Sequence, residues 1–158
     1  MQGTLVSINV AAAGGVPKLP ISEAQVTATG VTGDKQRDKK WHGGPERAVS
    51  LLAMAVIREL QAAGHPITPG STGENLTLDG FTAEQLARGV RLRIGIGPDA
   101  VELELTTWLD PCSKIGASFT GRRISVFDHE QNPCRSRIGA RVLVAGTVRT
   151  GDAVQLLT

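Results

Sequence analysis

The sequence predicts a mainly β fold, a closed or partly closed β-barrel with two or three short helices, built as one domain over residues 1–158. Three observations carry that prediction. Several stretches alternate apolar and polar residues with the period of two that a half-buried strand requires. The 158 residues include 19 glycines and eight prolines, which favours turns and short strands over long helices. Helical signals are confined to two stretches, Met54–Ala63 and Phe81–Leu86.

Thr4–Val10 is the first expected strand, with Leu5, Ser7 and Asn9 alternating against Val6, Ile8 and Val10. Gly14-Gly15 and Pro17–Pro20 mark a loop before a second strand, Ala24–Val31. The charged run Asp34–Lys40 reads as a solvated loop. In Ala48–Ala63 the segment AVSLL suits either a buried strand or a helix face. Met54–Ala63 is helical and stops at Gly64, with Pro66 beyond. Leu76–Leu78 is a short strand inside the glycine-studded loop Gly70–Gly80. Thr82 and Gln85 fit a capping box, with Phe81 placed to staple onto Leu86.

Val90–Ile96 and Val101–Thr106 are expected to form a hairpin about Gly97-Pro98-Asp99-Ala100. Pairing Ile96 with Val101 sets Ile94 against Leu103, Leu92 against Leu105 and Arg93 against Glu104. Ile124–Phe127, Ala140–Ala145 and Ala153–Leu157 complete the strand set.

Composition narrows the function. Net charge is +2, from 17 basic and 15 acidic residues, and aromatics are 3%. That is too little charge and too few stacking platforms for a nucleic-acid binder. No apolar run is long enough to span a bilayer, and the start MQGTLVSINV carries no export signal. The expected location is cytoplasmic, where Cys112 and Cys134 stay reduced. Gly70–Gly80 lacks the lysine of a P-loop. Gly95–Ala100 fits a dinucleotide fingerprint only superficially, since a strand follows it.

Val101–Ile115 holds the most chemistry. A strand runs into Pro111, which has no N–H to give, and Cys112 follows at its exit. Lys114 favours a thiolate there and Asp110 opposes it. A free cysteine is more often a small buried hydrophobe, and this segment alone favours that reading. In Trp41–Arg47, Gly43-Gly44 let backbone N–H groups approach a ligand, bracketed by His42 and Arg47. A plain tight turn explains the same residues. Beyond Cys112 the chain is basic. Arg135 and Arg137 read first as a solvated patch and second as donors to an anionic ligand, and Glu74 as a group bonding within its own loop.

Five pieces stand in order: Gly33-Asp34, His42–Val49 (HGGPERAV), Gly73–Thr77 (GENLT), Pro111-Cys112, and the tail Arg141–Leu157. Together they resemble the MOSC domain family, in its small stand-alone bacterial form, over nearly the whole chain. The resemblance implies a barrel-like fold and a molybdopterin-type molybdenum cofactor. It implies Cys112 as metal ligand and catalytic centre, and Asn75 close to the cofactor. His42, Gly43, Gly44, Arg47 and Lys114 are the expected cofactor-binding residues, supplying N–H donors and positive charge for a phosphate. The implied activity is reduction of small N-hydroxylated or N-oxygenated compounds, with electrons from a separate electron-transfer protein. A sulfur carrier using a Cys112 persulfide, loaded by a cysteine desulfurase, is the alternative. A non-catalytic anion-binding module is a second alternative. The resemblance says nothing of Cys134 or of oligomeric state.

Overall fold

A computed structural model describes residues 2–35 and 44–157 of the chain. The strands are β1 (Gln2–Val10), β2 (Leu19–Ile21), β3 (Glu23–Thr27), β4 (Gly30–Val31), β5 (Val49–Ala53) and β6 (Leu76–Asp79). They continue as β7 (Arg91–Ile94), β8 (Val101–Leu109), β9 (Arg137–Val144), β10 (Gly146–Arg149) and β11 (Ala153–Leu157). One sheet runs β11-β7-β8-β9-β5-β6-β1, and β1 pairs back onto β11, which shuts a seven-stranded barrel. β2 extends the far end of β1, while β10, β3 and β4 make a small separate sheet. Closure removes the exposed edges an open sheet would present.

The ambiguous stretch Ala48–Ala63 resolves into both of its readings. Val49–Ala53 is β5, and α1 (Met54–Ala62) follows without a linking residue. Val56, Ile57 and Leu60 bury one face of α1, and Gly64 closes it at φ +96°. The connection lets β6 lie parallel to β5, Leu51 beside Leu76. Thr82 and Gln85 form the expected capping box, on a single 3-10 turn.

Three details differ from expectation. In β1, Leu5 pairs with Leu78 but Ser7 with Thr77, so Val6 is an extra bulged residue. The bulge breaks the alternation and buries both Leu5 and Ile8. The β7–β8 register is two residues away from the expected one: Ile94 faces Val101, Leu92 faces Leu103, and Arg93 faces Glu102. Residues 95–100 all belong to the turn, which leaves Ile96 87% exposed. Finally, Ile124–Phe127 is a 3-10 turn, not a strand. Ile124 and Phe127 are three apart, the spacing that stacks on one side of a 3-10 turn. Phe127 is fully buried, 5.4 Å from the Phe119 ring centroid.

Candidate functional site

Cys112 lies just past the end of β8, on extended backbone (φ −132°, ψ 167°), and starts the 3-10 turn Ser113–Ser118. It is half-buried and unpaired, with Asp110 and Lys114 exposed on either side. The thiol is therefore neither sealed into the core nor loose in solvent. Among the described residues, no group of three or more His, Cys, Asp or Glu side chains is placed to cage a metal.

The residue that organises this region is Arg137, at the head of β9 opposite Leu109. Its side chain was expected in a solvated patch, yet the residue is only 5% exposed. Nη1 donates to the Thr72 carbonyl (2.9 Å) and Nη2 to the Asp110 carbonyl (3.1 Å). One guanidinium thus ties the glycine loop around Gly73 to the segment that carries Cys112. Its remaining edge, Nε–H, is buried without a partner. Phe127 lies beneath it, with Cζ 6.0 Å from the ring centroid. Burial lowers the guanidinium's pKa, and the charges of Glu74, Cys112 and Asp110 oppose that. The strand expected from Ala140 starts at Arg137 instead, which takes that side chain out of a loop and sets it opposite the end of β8.

Glu74 is fully buried under the same loop. Its carboxyl accepts from Gly70 N–H (2.9 Å) and from the Thr72 (2.9 Å) and Thr77 (3.1 Å) hydroxyls. Burial pushes it above the usual carboxylate range, against the pull of those donors. Gly73 adopts φ +87°, and a Cβ there would come within 2.9 Å of Val16. Only glycine suits that conformation and closeness.

Asn75 joins the first and third sequence motifs. Its Nδ2 donates to Asp34 Oδ2 (2.9 Å) and to the Asn9 carbonyl (3.3 Å), while Oδ1 accepts from Ser50 N–H (3.1 Å). Asp34 also holds Lys18 (2.7 Å) in a buried ion pair and accepts from Ala11 N–H. Asn75 therefore braces the glycine loop from beneath. Gly44 is exposed at φ +79° and starts the turn Pro45–Arg47. That turn packs on β9 beside Gly139, two residues beyond Arg137, where a Cβ would meet Arg47 Cγ at 3.4 Å. His42 and Gly43 lie outside the described residues.

Cys134 is half-buried at φ +67° and donates its N–H to His129 Nδ1 (2.9 Å). His129 stacks on Trp108 with centroids 4.3 Å apart. Burial and nearby Glu84 push the Cys134 thiol up, opposite to what a reactive thiolate needs. A hollow of about 360 Å³ lies at the β7–β8 turn, lined by Arg93, Ile96, Glu102, Val144 and Gln155 among others; it shares no residue with the Cys112 region. No helix among the described residues is long and apolar enough to cross a membrane.

The MOSC domain family model matches residues 38–155. Protein YiiM of Escherichia coli is 31% identical over 101 residues, which covers 61% of this chain and 43% of YiiM. Uncharacterized protein YflK of Bacillus subtilis is 28% identical over 146 residues, covering 91% of this chain and 63% of YflK. The chain thus spans less than two thirds of each of these relatives. Among solved structures, the YuaD protein of Bacillus subtilis superposes with a TM-score of 0.76 at 20% identity, covering 98% of this chain and 94% of that one. YiiM of Geobacillus stearothermophilus gives 0.70 at 22% identity, covering 99% and 75%. At those identities the likeness speaks for the fold.

Proposed function

Because the chain belongs to the MOSC domain family, we propose that it binds a molybdopterin-type cofactor and reduces small N-hydroxylated or N-oxygenated compounds, with Cys112 as the protein's ligand to molybdenum. The observation that carries this reading is a half-buried thiol near a buried guanidinium whose Nε has no partner among the described residues. When bound, the cofactor supplies two-electron redox chemistry at molybdenum. The residues suit such a guest. A soft thiolate matches a sulfur-ligated metal. Only one cysteine is offered, as expected where most ligands come with the cofactor itself.

A pterin phosphate needs donors and positive charge. In this reading the Gly44–Arg47 turn, Lys114 and Arg137 supply them. Glu74 and Asn75 keep the glycine loop in place. Reducing an N–OH group consumes two electrons and two protons and releases water, so a separate electron-transfer protein completes the cycle. A cytoplasmic location belongs to the same proposal.

The test is metal analysis of protein made in a cofactor-competent host. The expected result is near-stoichiometric molybdenum in wild type and none in Cys112→Ala; wild type without molybdenum overturns the reading. The partial exposure of Cys112, with Lys114 two residues away, favours one second reading, a persulfide sulfur carrier. Incubation with a cysteine desulfurase and sulfur donor then adds one sulfur by intact mass in wild type and none in Cys112→Ala.

A further inference from the structure

We infer that Arg137 is the oxyanion-recognising residue of the Cys112 site, receiving a tetrahedral oxyanion on its free Nε–H edge. This rests on the reading of Cys112 as the centre of a cofactor site. Buried N–H groups are nearly always satisfied, so an orphan in a native fold calls for a partner outside the chain. Here the orphan belongs to a side chain that is 5% exposed. Its other two nitrogens are committed to the Thr72 and Asp110 carbonyls, which are neutral and leave the positive charge unspent.

Those two bonds and the Phe127 ring below fix the guanidinium plane, so the Nε edge is preorganised. Glu74, whose ionised form burial disfavours, is the nearest internal counter-charge, yet it makes no ion pair with Arg137. Its acceptors are spent on Gly70, Thr72 and Thr77. The Nη2 anchor, Asp110, is two residues from Cys112, and the guanidinium and the thiol are close enough to interact electrostatically. An oxyanion seated there sits where it shields the sulfur. A phosphate monoester and a metal oxyanion share this chemistry.

The experiment follows the rate at which iodoacetamide alkylates Cys112 in the full chain carrying Cys134→Ser, with inorganic phosphate or molybdate added. Saturable protection is expected, weakened roughly tenfold or more in Arg137→Gln through loss of a charge-assisted hydrogen bond. Arg137→Lys keeps the charge without the Nε geometry and is expected to fall between; it stands in should the glutamine variant not fold. Protection by phosphate alone assigns the edge to a phosphate monoester, and by molybdate alone to a metal oxyanion. No protection by either, or equal protection in a folded Arg137 variant, overturns the inference. Molybdenum retained by wild type in the face of that outcome leaves the proposed function standing.

Discussion

Arg137 and Arg141 sit four residues apart on β9 and behave as opposites. Arg141 is half in water and fully paired: Nη1 meets Glu46 at 2.8 Å and Nη2 meets Glu104, which also takes Arg91 at 3.0 Å. Arg93 and Glu102 add a further cross-strand pair at 2.7 Å. This ladder lies on the outer face of β7, β8 and β9 and helps hold their register. Exposed pairs of this kind add little stability. Arg137 is buried, bonded to carbonyls, and its Nε has no partner among the described residues. Burying a cation that makes no direct ion pair is a poor way to stabilise a fold. Costs of this kind are expected at functional or strained sites, in keeping with the role proposed for Arg137. One strand therefore carries an arginine paired at the surface and one buried among carbonyls, and their surroundings tell them apart.

The sharpest way to break the contrast is at Glu74. Glu74→Ala removes the acceptor of three buried donors and the nearest counter-charge to Arg137. It is expected to cost about 3–5 kcal/mol in urea unfolding; a loss no larger than that of a surface variant would erase the distinction. Asn75→Ala comes next, at about 2–3 kcal/mol, because it orphans Ser50 N–H and cuts the tie to Asp34.

Glu74 also predicts a pH dependence. Its folded pKa is raised, so its stabilising contribution is full below the ordinary carboxylate range and is lost as pH rises through the folded value. Thermal melts from acid to alkaline pH should therefore show the advantage of wild type over Glu74→Gln shrinking. Asp79 has the reverse sign, since its hydrogen bonds with Arg58 hold it below the usual range. Its contribution is present above that range and fades in acid, so the melting gap between wild type and Asp79→Asn should close there. The smallest effect belongs to Arg141→Ala, whose melting temperature should match wild type in physiological salt; a large drop would mean the outer ladder matters as much as the buried node.

Faces were legible in the sequence, and distances along strands were not. Leu92, Ile94, Val101, Leu103 and Leu105 are all buried as their alternation implies. A slip of two residues keeps every face, so alternation is blind to it, and the turn's length decided the pairing. The capping box at Thr82 and Gln85 is a local motif and reads directly from the chain. Ile124–Phe127 carries strand-forming residues but folds as a turn because Phe127 is drawn into the core. Cys112 was legible through Pro111, which ends the strand before it. The burial of Arg137 was not, because its anchors are Thr72 and Asp110, 65 and 27 positions away in sequence. Such a residue looks like any other surface arginine until the sheet is assembled.

The pairing of β1 with β11 sets Gln2 against Gln155 and Thr4 against Ala153. A ribosome making this chain releases β1 well before β11. Until Leu157 has emerged, β1 and β7 both wait with open hydrogen-bonding edges, exposed to neighbouring nascent chains. Closure of the barrel thus waits on the synthesis of β11, and is slowed by the long loop that must close before the seam is rewarded.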